Sequence, residues 1–337
     1  MKKVIVVLSL FLLSLFFWGC TSSNQKDYKK KLSIALGPNP ELVFHRYEEV
    51  FFDLDTADFQ YGLMEIQKDF LPFLDGDLTN LEAINYLKSF ACDTFARSLY
   101  QVTMEQYPNL ASLEEIIVSV NRHFNYYYPQ IRLPQQVYTC VSGVNPQDDP
   151  IMIIDGNLIV SLDWYLNGDE VYDWLGMPRY LSDRTITQAV AKDYGRLLYS
   201  TYIDNTHKQG NLLEEMVYYG KMDYFVEAMY TSISDEVLLG YPKEQLVWAE
   251  ANEGEVWADL VGNQQLYSTD LRAYRMFFAD GPFTNEYSHS APPRLGEYLG
   301  LQIVRSYMGG HEVSLQDMLS DEDLQGLFLD SGYKPKK

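Results

Sequence analysis

Residues 186–202, ITQAVAKDYGRLLYSTY, place one acid among apolar residues that recur with a helical period. At about 100° per residue, an apolar stripe runs along this predicted helix and contains Asp193. The stripe consists of Ile186, Ala189, Val190, Tyr194 and Leu197. A carboxylate in this position could act as a general base, but an unpaired buried charge costs several kcal/mol. We therefore expect Asp193 to form a buried ion pair rather than to catalyse a reaction.

Two cations flank this acid, because Lys192 precedes it and Arg196 follows at a spacing of four from Lys192. On one helix face, like charges at that spacing repel each other mildly unless acids lie between them. The next predicted helix offers three such acids, Glu214, Glu215 and Asp223. We expect Lys192 and Arg196 to neutralise Asp193 and an acid such as Glu215 from the next helix, with Asp193 and Arg196 forming a pair.

The remaining residues that could do chemistry do not form a recognisable site. The five histidines, His45, His123, His207, His289 and His311, include no pair at helical metal-ligand spacing. His311 and Glu312 begin a zinc motif, but Leu315 stands where its second histidine belongs. Neither the GxSxG motif of serine hydrolases nor a phosphate-binding glycine loop is present. No metal and no cofactor is therefore expected, and Cys92 and Cys140 could either pair or remain buried thiols.

The N-terminus has the pattern of a lipoprotein signal. Residues 1–19 carry two lysines, an apolar run and a final glycine, and Cys20 follows. The run is shorter than the about 20 apolar residues that a transmembrane helix needs, and a cysteine after a small residue marks lipoprotein cleavage. We predict a signal peptide over residues 1–19 and palmitate-type acyl chains on Cys20. Residues 20–32 are polar and lysine-rich, and we predict a flexible, lipidated tether there.

The composition and net charge limit the classes of molecule that the protein could bind. The formal net charge is −21, which disfavours nucleic acid and an anionic membrane surface other than through the lipid. No apolar segment after Cys20 is long enough to span a bilayer. The 27 tyrosines and the tryptophans could line a glycan-binding cleft, but core packing explains most of them.

The elements that must position these residues are mostly helices. We predict an α+β fold in one domain over residues 33–333, with a helical lobe at about 33–130 and a hairpin plus helices at about 131–333. The phrases QVYTCVSGV and IMIIDGNLIVSL are rich in β-branched residues, and Asp155-Gly156 is a two-residue hairpin turn signal. A small antiparallel sheet is expected there. Gly296 and Gly300, four residues apart, predict a helix that another element approaches closely.

Several phrases resemble the family of GldB gliding-motility lipoproteins. The most specific are LLEEMVYYGK and LGLQIVRSYM, and the resemblance is strongest at about residues 151–308. The resemblance implies a membrane lipoprotein of bacteria that glide and use a type IX secretion system, without an established catalytic activity.

That family is in turn similar to predicted zinc proteases, whose active-site helix contains HExxH. The similarity implies a zincin-like scaffold in which Lys192 replaces the first histidine, Asp193 the glutamate, Arg196 the second histidine and Tyr219 the third ligand. Two cations cannot coordinate zinc, and a shortened acid beside them has no metal-bound water to activate. These four positions are therefore predicted to be structural remnants of a metal site.

Taken together, the sequence predicts a non-enzymatic outer-membrane lipoprotein that supports gliding motility or the associated secretion apparatus. Thr21 favours the outer membrane because an inner-membrane retention signal has Asp there, and the lysines that follow favour a periplasm-facing anchor. The expected partners are other envelope proteins of that machinery. Two alternatives stay open: a cell-wall or peptide hydrolase with an atypical site, and a periplasmic glycan-binding module.

Overall fold

The structure is a computed structural model that describes residues 24–145, 148–204, 206–281, 288 and 290–335. The predicted signal peptide and Cys20 lie outside the described residues. Among those that are described, no helix is both long and apolar enough to cross a membrane.

The described part of the chain is mostly helical and contains a four-stranded sheet, which confirms the predicted α+β class. The strands are β1 Val43–Arg46, β2 Gln136–Cys140, β3 Ile151–Ile154 and β4 Asn157–Ser161. The helices up to the third strand are α1 Asn24–Leu32, α2 Tyr47–Phe52, α3 Phe59–Ile66, α4 Leu71–Leu74, α5 Leu81–Cys92, α6 Thr94–Gln106 and α7 Ala111–Tyr127. Those that follow the sheet are α8 Val171–Trp174, α9 Arg179–Ser182, α10 Ala189–Leu198, α11 Leu212–Met229, α12 Asp235–Leu239, α13 Lys243–Gly262, α14 Leu271–Phe278, α15 Leu295–Gly310, α16 Leu315–Ser320 and α17 Leu324–Ser331.

Helices α11 and α15 pack against each other in the core. Almost every residue of α11 is buried, as expected for a helix whose apolar residues surround it on all sides. Its start is fixed by a capping box, in which the Asn211 side chain accepts from the Glu214 N–H and Glu214 accepts from the Asn211 N–H. A Cβ on Gly300 of α15 would overlap the carbonyl oxygen of Met216, and a Cβ on Gly220 would overlap that of Gly300. The predicted close approach at Gly300 is therefore confirmed.

The sheet differs from the predicted antiparallel one, because its order is β1-β2-β4-β3 with two parallel pairs. Only β3 and β4 pair in antiparallel fashion. The hairpin itself is confirmed, since Asp155 and Gly156 adopt φ of 49° and 77° at the turn. The predicted helical lobe also contributes β1, which the sequence reading missed. Parallel pairing needs strands from distant parts of the chain, so local turn signals do not reveal it.

The predicted tether is wrong for residues 24–32, which form α1. Tyr28 and Leu32 are 3% and 5% exposed, and α1 packs against α15. The Tyr28 hydroxyl donates to Glu227 of α11 at 3.2 Å, and the Arg305 guanidinium lies over the Tyr28 ring at 5.2 Å. Two buried residues, one of them a tyrosine with a hydrogen-bonded hydroxyl, therefore dock a segment whose composition is otherwise that of a linker.

Helices α5 and α6 are separated at Asp93, whose side chain caps the start of α6 by accepting from the Phe95 and Ala96 N–H groups. Cys92 and Cys140 are both free; Cys140 is buried and Cys92 is exposed.

Candidate functional site

Helix α10 contains the three charged residues singled out in the sequence, and it divides them between two environments. The helix packs against α7, α11, α12 and β3, and a π-helical turn follows it at Tyr199–Ile203. Lys192 and Asp193 line a cleft of about 790 Å³. Arg196 is not part of the cleft lining and instead contacts acids on α11 and α15.

The Lys192 side chain is buried at one wall of the cleft. The residue is 8% exposed, and within the described residues its amine has no ion pair and no hydrogen bond. Burial lowers the pKa of Lys192 to about 7, and the neighbouring charges of Arg196 and Arg294 act in the same direction. The amine is therefore partly neutral at neutral pH.

The Asp193 carboxylate is held by a hydroxyl rather than by a cation. The Tyr165 O–H donates to Asp193 Oδ2 at 2.8 Å. Burial raises the pKa of Asp193, and the charge of Lys192 opposes that shift. The predicted contact of Asp193 with Arg196 is wrong, because on α10 these side chains point to different neighbours.

The guanidinium of Arg196 joins three helices. Its Nη2 lies 2.7 Å from Asp223 Oδ1 of α11 and 2.8 Å from Glu297 Oε2 of α15. Burial would raise the pKa of Glu297, but the charges of Arg196, Arg294 and Lys192 outweigh it and lower the pKa to about 2. Burial raises the pKa of Asp223, which is fully buried. Of the three candidate acids, only Asp223 contacts Arg196. The second acid that contacts it, Glu297, was not predicted.

The other two candidate acids have different partners. Glu215 accepts from the Gly210 N–H at 2.8 Å and lies 3.0 Å from His207 Nε2, so its predicted contact with Arg196 is wrong. Glu214 belongs to the capping box of α11 and accepts from Gln325 Nε2. Both acids lie in the first turn of α11, where a negative charge is favourable to the helix dipole.

Tyr219, the fourth predicted remnant position, lies in an aromatic cluster. Its ring centroid is 5.1 Å from that of Phe278, and its hydroxyl lies 3.3 Å from the Tyr274 hydroxyl on α14. Tyr219 therefore has no contact with the ion pairs of Arg196. Among the described residues, no group of three or more His, Cys, Asp or Glu side chains could hold a metal ion.

A second ion-pair group lines the same cleft. Arg184 Nη1 lies 2.6 Å from Asp280 Oδ1, and Arg294 Nε lies 3.7 Å from the same oxygen. Arg294 begins α15 with a left-handed backbone at φ 52°, which is uncommon outside glycine and asparagine. Its Nη2 donates to the Leu239 carbonyl at 2.6 Å, so the strained residue is fixed against the end of α12. Nothing in the local sequence indicated that Arg184 and Arg294 would meet.

The chain matches one family over most of its length. A family model described as "Gliding motility protein GldB" matches residues 27–335, which includes every element described above from α1 onward except the first three residues of that helix. No curated protein and no solved structure gives a significant match. The family match covers the cleft, the Arg196 ion pairs and the crossing of α11 and α15, and the chain therefore belongs to the GldB family of gliding motility proteins.

Proposed function

We propose that the chain is a non-enzymatic lipoprotein of the outer membrane that faces the periplasm and serves as a component or assembly factor of the gliding or type IX secretion apparatus. Membership of the GldB family supports the motility role. The signal pattern of residues 1–19 and the following Cys20 support anchoring through acyl chains.

The observation that best supports a non-enzymatic role is the pair of contacts made by Arg196. Its guanidinium neutralises Asp223 and Glu297 with contacts of 2.7 and 2.8 Å. In the proposed zincin-like scaffold, Arg196 itself stands at the position of the second histidine. A guanidinium stabilises buried carboxylates without coordinating anything, so the arrangement fits a structural remnant better than a metal centre.

A crosslinked pull-down from native membranes tests the motility role. Wild-type protein should recover one or more envelope proteins in a fixed ratio, and a Cys20→Ser variant should recover them poorly because its precursor stays at the inner membrane. Recovery of no envelope protein by the wild type, under conditions where a known outer-membrane complex is captured, would contradict the proposal.

A hydrolase remains the second candidate, because Asp193, hydrogen-bonded to Tyr165, lies in the same cleft as the unpaired amine of Lys192. An acid and an amine with shifted pKa values in one cleft are a recognised mark of catalytic sites. Purified protein should be assayed on casein and on cell-wall peptide fragments, with Asp193→Asn as the matched variant. Hydrolysis that Asp193→Asn abolishes would establish the enzyme and overturn the non-enzymatic proposal.

A further inference from the structure

The buried polar side-chain atoms that line the cleft without a hydrogen bond are all donors. Trp164 Nε1, Arg184 Nε and Arg294 Nε are buried and make no hydrogen bond within the described residues. Lys192 adds an amine without an ion pair at the same cleft. No buried acceptor among the described residues that line the cleft is left unpaired in this way. Because a buried donor without a partner costs about 1–3 kcal/mol, a ligand that supplies acceptors would be favoured.

Three cations of the cleft are less exposed than the acid at its rim. Lys192 is buried, and the side chains of Arg184 and Arg294 are 16% and 11% exposed. Asp280, which the two arginines share, has a side chain that is 52% exposed and lies at the rim. An anion that enters the cleft would therefore meet positive charge at its inner wall.

The acids near Lys192 already have contacts of their own. Asp193 on its own helix accepts from Tyr165, and Asp223 and Glu297 behind α10 contact Arg196. Glu236 of α12, which is half-buried, also lines the cleft, and Asp183 and Lys243 are exposed at its edge. The charge on Lys192 is thus left without an anion at contact distance.

The rest of the lining is apolar and suits the body of a small molecule. It includes Leu175, Met177, Pro178, Leu181, Ile186 and Val237. A cleft of about 790 Å³ falls within the usual range of small-molecule sites, about 300–1,000 Å³.

We propose that this cleft binds a small organic anion, with an apolar body against Met177, Leu181 and Val237 and one carboxylate or sulfonate group that accepts hydrogen bonds from the donors around Lys192. The site is separate from the motility role, since it depends on the cleft alone. The bound anion stabilises the protonated amine, and the amine in turn selects an acceptor-only group over a neutral or cationic one.

Fluorescence titration with 8-anilinonaphthalene-1-sulfonate tests the proposal on the folded, purified protein. The dye should bind in a single class of sites, and decanoate should displace it while decyltrimethylammonium, which has the same alkyl chain and the opposite charge, should not. Equal displacement by both compounds, or no dye binding by protein with native circular dichroism, would overturn the proposal.

Two lysines of the same cleft provide a matched pair of variants. Lys192→Met should weaken dye and decanoate binding by about tenfold or more, as expected for loss of one charge-assisted hydrogen bond. Lys243→Met, at the exposed rim, should bind as the wild type does. Equal binding by the two variants would place the dye elsewhere and contradict the proposal.

The pH dependence gives a readout that needs no variant. Anion binding requires the protonated amine, and the pKa of Lys192 is lowered to about 7. Decanoate affinity should therefore fall as the pH rises from 6 to 9. Lys192→Arg, which stays protonated, should lose most of that fall. If Lys192→Met does not fold, a flat wild-type profile over the same pH range would contradict the proposal by itself.

Discussion

At the scale of single residues, Arg196 links α10 to two helices through two buried carboxylates. Asp223 is fully buried and Glu297 nearly so, which means that water cannot replace the guanidinium if it is removed. Removing one member of a buried ionic group is strongly destabilising because the remaining charges are left uncompensated.

The change Arg196→Met should therefore lower the free energy of unfolding by about 3–5 kcal/mol, measured by urea denaturation. Arg275→Met on the exposed face of α14 is the control and should change stability by less than about 0.5 kcal/mol. Adding Glu297→Gln to Arg196→Met should cost less than the sum of the two single changes, because charges of both signs are removed. Additive costs would show that the two residues do not interact.

The Lys192 amine should make stability depend on pH. Its pKa falls from 10.5 in the unfolded chain to about 7 in the folded protein, because burial disfavours the charged form. Between these values the unfolded state binds more protons, so a rise in pH stabilises the folded state. From pH 7.5 to 9, the stability of the wild type relative to Lys192→Met should rise with a slope approaching about 1.4 kcal/mol per pH unit. Parallel pH profiles of the two proteins would mean that Lys192 has a normal pKa when folded.

Part of this site could be predicted from the sequence, and the rest could not, for a physical reason. Asp223 was a candidate because α10 and α11 are neighbours in the chain, and an acid in an apolar segment needs a cation. Glu297 and Arg294 come from a helix much further along, and periodicity within one helix does not say which distant helix will face it. The Tyr165 partner of Asp193 was missed for the same reason.

At the scale of elements, the crossing of α11 and α15 depends on two glycines. The backbones approach so closely at Gly220 and Gly300 that a Cβ on either residue would overlap a carbonyl group of the other helix. The crossing also brings Asp223 and Glu297 to the same nitrogen of Arg196, since each acid lies three residues from one of these glycines.

The change Gly300→Ala should therefore cost on the order of 3 kcal/mol of stability, because the helices must separate to make room for the methyl group. Gly262→Ala is the matched control, since a Cβ at that helical glycine meets nothing within 4 Å. The control should be neutral or slightly stabilising, because Ala favours a helix over Gly. Thermal unfolding of both variants checks the prediction, and similar melting temperatures would contradict it.

In the sheet, local sequence signals predict the hairpin turn but not the parallel strand pairing. The Asp155-Gly156 turn was predicted correctly because both residues that form it are adjacent in the sequence and favour positive φ. The parallel pairing of β1 with β2 joins Val43 to Gln136, and no turn connects them. Strand β1 has only four residues, so it carries too little alternation to be recognised.

At the scale of the whole molecule, the predicted membrane attachment depends on N-terminal residues that lie outside the described part of the chain. The prediction of a lipid on Cys20 rests on the signal pattern of residues 1–19. From Asn24 onward, the predicted tether is replaced by α1, because the Tyr28 ring is buried in the core and its hydroxyl has a hydrogen-bond partner there.

The change Cys20→Ser should block lipid attachment and signal cleavage, so that a larger precursor accumulates at the inner membrane. Mass spectrometry of the mature N-terminus and membrane fractionation check this outcome. Ser22→Ala, two residues on, is the control and should be processed normally. An unchanged mature mass in Cys20→Ser would contradict the lipoprotein prediction.

Docking of α1 has a consequence for how far the protein can reach. Four backbone steps separate Cys20 from Asn24, and a fully extended chain covers at most about 14 Å over that distance. With acyl chains on Cys20, this short segment would hold the N-terminus of α1 within about 14 Å of the lipid anchor. A partner would then meet the protein close to the plane of the membrane.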